Sequence, residues 1–238
     1  MRFKTFFSNL MAAALLANCT PEESGKTVPN TPAGALAKNV RYLALGDSYT
    51  IGTAIGKENS YASLLADSLE SRSEIDSVYL KIIAQNGWTT GDLQTGINQT
   101  QPDSSFDLVS LLIGVNNQYQ KRSLQEYERE FRALLLKSIT LAQGRKERVL
   151  VLSIPDWGST PAGAANRSQI AQEIDTFNAV NQALSDSLGV SYYNITPISR
   201  TAVQDSSLVA NDDLHFSKEM HALWLNKIFD SVAKQVLD

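Results

Sequence analysis

The chain has 238 residues, 43% of them hydrophobic, which is enough apolar mass for the core of one α/β domain of ordinary size. Its net charge is −4, and removal of a leader carrying the two cations Arg2 and Lys4 takes it to −6. Acidic and basic residues are interspersed with no basic run, which excludes a polyanion binder, since replacing counterions on nucleic acid needs clustered Lys and Arg. A single cysteine, Cys19, excludes an internal disulfide.

The first segment places Arg2 and Lys4 before an apolar stretch from Phe6 to Leu16, then Leu16-Ala17-Asn18-Cys19. This is the layout of a secretory signal peptide over residues 1–18, too short for a spanning helix, and no other stretch is apolar enough to cross a bilayer. Cys19 resembles the lipobox cysteine of bacterial lipoproteins, with Asn18 where a small residue is usual. That resemblance implies an acylated Cys19 holding an exported protein on a membrane. Residues 19–38 follow as a tether, because Pro21, Pro29 and Pro32 among Ser, Thr, Gly and acidic residues bury no apolar surface. The folded domain is expected over residues 39–238.

Beyond the tether, short apolar runs alternate with amphipathic segments, which predicts a parallel sheet flanked by helices. Strands are expected at Val40 to Leu45, Val78 to Ala84, Leu108 to Ile113, Val149 to Ile154 and Ser191 to Ile195. Helices are expected at Tyr61 to Leu69, Thr90 to Asn98, Ser123 to Gln143, Gln169 to Leu188 and Lys218 to Val236. Ser123 and Glu126 have capping-box spacing, and Gly144 and Gly189 close their helices. The expected fold is a single-domain three-layer α/β/α sandwich with a five-stranded parallel sheet of flavodoxin-like type. Ligands of such sheets bind beyond the carboxyl ends of the strands, so chemistry belongs in the residues that follow each strand.

Those residues are Gly46-Asp47-Ser48-Tyr49-Thr50 after the first strand, Asn86-Gly87 after the second and Gly114-Val115-Asn116-Asn117 after the third, with Asp212-Asp213-Leu214-His215 near the C-terminus. In that order they resemble the four blocks of the SGNH (GDSL) serine hydrolases, and the resemblance spans roughly residues 40 to 236. It implies carboxylic ester hydrolysis without a cofactor, with the backbone N–H groups of Ser48 and Gly87 and the side-chain amide of Asn116 as oxyanion donors. The family commonly has Asp where this chain has Asn117.

The residue types support that chemistry independently. Acyl transfer needs a nucleophile, a base, a group that orients the base, and donors for the oxyanion. Ser48, in a turn leaving a strand, is the candidate nucleophile. Of the two histidines, His215 has a carboxylate three residues earlier, Asp212, which one turn brings to Nδ1; Asp213 is the second choice. His221 falls in a helix with Leu223, Trp224, Ile228 and Val232 and reads as a solvated or packing histidine.

Tyr49, Trp88, Asn117, Tyr119 and Trp157 all lie just after strand ends, either lining a substrate pocket or packing under the loops. No Gly-x-Ser-x-Gly elbow, zinc motif or phosphate loop occurs, so no metal site is expected. The expected partners are a small-molecule ester and, through Cys19, a membrane; no obligate protein partner is inferred. Small acyl esters, lysophospholipid-like esters and sugar acetates stay open as substrates, and a non-catalytic surface-binding lipoprotein stays open as an alternative.

Overall fold

A computed structural model describes residues 37–238. The expected signal peptide, Cys19 and nearly all of the expected tether lie outside the described residues. Lys38 does not belong to a tether: it is the first residue of a strand, and its backbone N–H donates to the Glu74 carbonyl at 3.0 Å.

Five strands, β1 (Lys38–Gly46), β2 (Ile75–Ala84), β3 (Leu108–Leu112), β4 (Val149–Leu152) and β5 (Ser191–Tyr193), form one all-parallel sheet in the order β2-β1-β3-β4-β5. The intervening helices are α1 (Ser48–Ile51), α2 (Tyr61–Glu70), α3 (Thr90–Thr100), α4 (Val115–Tyr119), α5 (Leu124–Leu141), α6 (Arg167–Leu188), α7 (Thr196–Ser199) and α8 (Lys218–Leu237). This is the expected α/β fold. Every residue of β3 and β4 is buried, as a central parallel strand covered on both faces requires. Among the described residues, no helix is long and apolar enough to cross a membrane.

The differences at element ends have local causes. β2 starts three residues early because β1 extends back to meet it, with Ser77 Oγ donating to Asn39 Oδ1 at 2.6 Å. β4 and β5 stop short because Ser153 Oγ accepts the N–H groups of Ile195 (2.8 Å) and Thr196 (3.0 Å), turning the chain into α7. Ser123 caps α5 by accepting Glu126 N–H at 3.1 Å, but the Glu126 carboxylate turns to Arg122 and closes no capping box. The reciprocal box forms on α3 instead, between Thr89 and Asp92. Leu124, the first residue of α5, is 36% exposed and stays off the helix's buried stripe of Tyr127, Phe131, Leu134 and Leu135. Gly144 and Gly189 have the left-handed φ expected at helix ends, 79° and 68°.

Register positions the site. Gly46, the last residue of β1, pairs with Ala84 at the end of β2 and with Leu112 at the end of β3. Three carboxyl ends therefore stop level, on either side of the point where the strand order reverses, and the segments after them converge on one crevice.

Candidate active site

The turn after β1 depends on Gly46. A Cβ there would overlap the Thr50 side chain and the Leu112 carbonyl, so only glycine lets α1 begin against β3. Asp47 caps α1, its Oδ1 accepting Tyr49 N–H at 3.1 Å, and Ser48 is the helix's first residue. Asp47 is fully buried and its Oδ2 has no hydrogen-bond partner. Burial pushes its carboxyl up to about 7, against the opposing pull of the N–H groups of Tyr49 and of Asp47 itself.

The C-terminal block is a tight loop closed by an antiparallel bridge between Val209 and Phe216, with Ala210 N–H donating to the His215 carbonyl at 2.8 Å. Within it, Asp212 Oδ1 accepts the N–H groups of Leu214 (3.1 Å) and His215 (2.9 Å), and Oδ2 lies 2.6 Å from His215 Nδ1. Burial raises the Asp212 carboxyl, but the hydrogen bonds from the His215 ring and the two N–H groups outweigh it and hold the pKa below the ordinary value. Asp213 has a left-handed φ of 62° and fastens the loop through its carbonyl, which accepts Ala162 N–H at 3.0 Å. The Tyr49 ring meets the His215 ring edge-on, with centroids 5.9 Å apart.

His221 is buried, not solvated. Its Nδ1 accepts Tyr61 N–H at 3.0 Å and its ring packs 4.4 Å from that of Trp224.

Gly87 has φ 79°, and a Cβ there would meet open space. The requirement for glycine therefore comes from the backbone conformation rather than from crowding. The Asn116 side chain donates one amide hydrogen to the Trp88 carbonyl at 2.9 Å, which fixes the amide and leaves its second N–H free of that bond.

Ser48, Gly87, Asn116 and His215 line a single cavity of about 250 Å³, together with Tyr49, Tyr119 and Trp157. No hydrogen bond joins Ser48 Oγ to His215 among the described residues, a common looseness before substrate is bound.

Two expected lining residues do not reach this cavity. The Trp88 ring packs on α3, covering Gly96 so closely that a Cβ would overlap it. Asn117 is fully buried, with Oδ1 accepting Thr90 N–H at 3.0 Å and Nδ2 donating to Thr90 Oγ1 at 2.7 Å.

Three further lining residues, Asn86, Val115 and Leu214, stand in the sequence blocks without a role of their own. Each adjoins a chemistry-bearing residue in one of the four blocks, which was the available signal. Among the described residues, no three His, Cys, Asp or Glu side chains converge as a metal site would need.

Comparison with known families matches residues 44–223 to the GDSL-like Lipase/Acylhydrolase family. No match is found among curated proteins. Solved structures with the same fold include a lipolytic G-D-S-L family protein from Veillonella parvula (TM-score 0.62, 15% identity, 81% of this chain and 97% of that one). The psychrotrophic esterase EstA from Pseudoalteromonas sp. superposes with a TM-score of 0.60 at 19% identity over 83% of this chain and 99% of that one. The acetylxylan esterase Axe2 from Geobacillus stearothermophilus gives 0.61 at 16% identity over 84% and 95%. The family match covers well over half of the chain and includes all four blocks, so this protein belongs to the GDSL-like lipase and acylhydrolase family and is a hydrolase.

Proposed function

We propose that the protein is a serine esterase that cleaves short-acyl carboxylic esters through an acyl-enzyme. The observation that carries this reading is the convergence of Ser48, Gly87, Asn116 and His215 on one cavity, with Asp212 Oδ2 2.6 Å from His215 Nδ1. Ser48 Oγ attacks the ester carbonyl carbon as its proton passes to His215 Nε2, and Asp212 holds the resulting imidazolium. The N–H groups of Ser48 and Gly87 and the Asn116 amide stabilise the oxyanion. The carbon–oxygen bond to the alcohol then breaks, and the alcohol leaves with the proton from His215. Water gives its proton to His215 and attacks the acyl-enzyme, and collapse of that second intermediate returns the proton to Ser48 and frees the acid.

The cavity volume supports a short acyl group. At about 250 Å³ it is smaller than the roughly 300–1,000 Å³ of pockets that enclose drug-sized ligands. A second reading, removal of acetyl groups from carbohydrate, is favoured by the Tyr119 and Trp157 rings on the cavity wall, since aromatic faces suit sugar rings and Tyr119 is 63% exposed. We read Cys19 as the site of lipid attachment for an exported protein; metabolic labelling with a palmitate analogue, lost in Cys19→Ser, tests it.

Hydrolysis of p-nitrophenyl esters from acetate to palmitate, beside Ser48→Ala, tests the activity. Turnover of the shorter esters that disappears in Ser48→Ala is expected. Equal inertness of both proteins on every ester would overturn the reading, and a preference for palmitate would overturn the short-acyl assignment.

A further inference from the structure

Trp157, one wall of the cavity, is held from outside it. The residue opens a 3-10 turn, Trp157–Ser159, after β4, and its indole N–H donates to Gln118 Oε1 at 2.9 Å. Gln118, on α4, is buried at 5% exposure, and its Nε2 donates to Glu173 Oε2 at 2.6 Å. The other Glu173 oxygen accepts from Gln169 Nε2 at 2.8 Å, one turn earlier on α6. An indole N–H only donates and a carboxylate only accepts, so the amide of Gln118 has a single orientation that satisfies both neighbours. The amides of Gln169 and Gln118 hold the Glu173 carboxyl below its ordinary pKa, so the acceptor end of the chain stays an anion.

The flanking backbone is pinned as well. Asp156, 1% exposed, accepts Gly158 N–H at 2.9 Å and pairs with Arg200 Nε at 2.7 Å, and Arg200 reaches Asp175 on α6 at 2.8 Å. With the loop already fixed by these bonds, the Gln118 contact adds control of the indole ring itself. The Tyr119 ring then stacks edge-on to it at 5.4 Å.

We propose that Gln118 is a positioning residue for substrate size: it locks the Trp157 ring as a rigid wall and so limits the ester group that fits beside Ser48 to a short one. This rests on the ester-hydrolase reading above. Gln118 does not line the cavity; it acts through Trp157, with Glu173 holding its far end.

The test compares kcat/KM for p-nitrophenyl acetate and octanoate in the wild type, Gln118→Leu, Trp157→Phe and the double variant. Gln118→Leu releases the indole and leaves the ring in place, so the preference for acetate over octanoate falls by about 3- to 10-fold, the range that one hydrogen bond supports. The change appears as a lower KM for octanoate. Trp157→Phe, which removes the indole N–H, shifts the preference in the same direction, and the double variant adds little to either single change.

The exchange Gln118→Glu with Glu173→Gln reverses donor and acceptor between those two positions while keeping an acceptor for the indole, and it restores the preference. An equal loss on both esters, additive effects in the double variant, or no recovery in the exchange would overturn the proposal. If the wild type hydrolyses both esters and the preference does not move, this inference alone fails. If the wild type shows no Ser48-dependent hydrolysis, the esterase reading fails and takes this inference with it.

Discussion

Asp212 holds His215 by ring and backbone together: Oδ2 lies 2.6 Å from Nδ1 and Oδ1 accepts the N–H of the same residue at 2.9 Å. The carboxylate therefore fixes both the ring's tautomer and the place where the ring is attached, leaving Nε2 unprotonated as a base. In Asp212→Asn the amide keeps the backbone bonds but presents a donor to Nδ1 and favours the wrong tautomer. Loss of such a carboxylate in a buried triad costs about 10,000-fold. Asp212 is 36% exposed, so solvent replaces part of its effect and a kcat loss of about 100- to 10,000-fold is expected, with KM little changed. Asp213→Asn, whose contribution to the loop is through its backbone, retains near wild-type turnover. Equal losses in the two variants would assign the carboxylate wrongly.

Asn116 is aimed by its bond to the Trp88 carbonyl. Asn116→Ala removes a neutral donor while leaving Ser48, Asp212 and His215 in place, so kcat falls by about 100- to 1,000-fold without a comparable rise in KM. Steady-state kinetics on p-nitrophenyl acetate check this, and a change confined to KM would give Asn116 a role in substrate binding only.

The sheet was legible because parallel strands buried on both faces appear as unbroken apolar runs, as in Leu108–Leu112 and Val149–Leu152. The first three blocks were legible because each follows a strand whose end the register brings level with its neighbours, and the fourth because its Asp and His stand three residues apart. What failed was direction. Trp88 and Asn117 stand beside site residues in the chain, but a single residue's shift along a turn points a side chain into the core, and proximity in sequence does not reveal which way a turn faces. The Gln118–Glu173 bond was equally hidden, since it spans 55 positions and joins two helices whose polar residues read individually as surface.

Asn117, where the family commonly has Asp, has a local explanation. Its amide donates to Thr90 Oγ1, and the Thr90 hydroxyl passes its own hydrogen to Glu130 Oε2 at 2.5 Å. A carboxylate at 117 would compete with Glu130 for that one hydrogen and would bring a second negative charge into a buried site. Asn117→Asp is therefore expected to destabilise the fold by about 1–3 kcal/mol, the range for a buried polar group that loses its partner. Pairing it with Glu130→Gln, which supplies a new donor, recovers part of the loss. Urea-unfolding midpoints measure both, and a stabilised Asn117→Asp would refute the account.

Two of the buried titratable groups near the site, Asp47 and His221, bias stability in opposite directions with pH. Asp47 is pushed from 3.8 to about 7 by burial, so between those values the folded state holds a proton that the unfolded state has released, and stability falls as pH rises. His221 is pushed from 6.5 to about 3, first by burial and then by repulsion from His215, so below 6.5 the unfolded state takes up a proton that the folded state refuses. Its contribution is complete above 6.5 and is lost as pH falls towards 3. Between about pH 5 and 6.5 the two slopes oppose each other, each limited to about 1.4 kcal/mol per pH unit. His221→Gln keeps an acceptor for Tyr61 N–H and removes one slope, so stability should climb as pH drops from 7 to 5. Asp47→Asn keeps an acceptor for Tyr49 N–H and removes the other, so stability should decline over the same interval. Urea titrations at pH 5, 6 and 7 separate these outcomes, and parallel profiles for both variants and the wild type would mean that neither group carries its charge as its surroundings dictate.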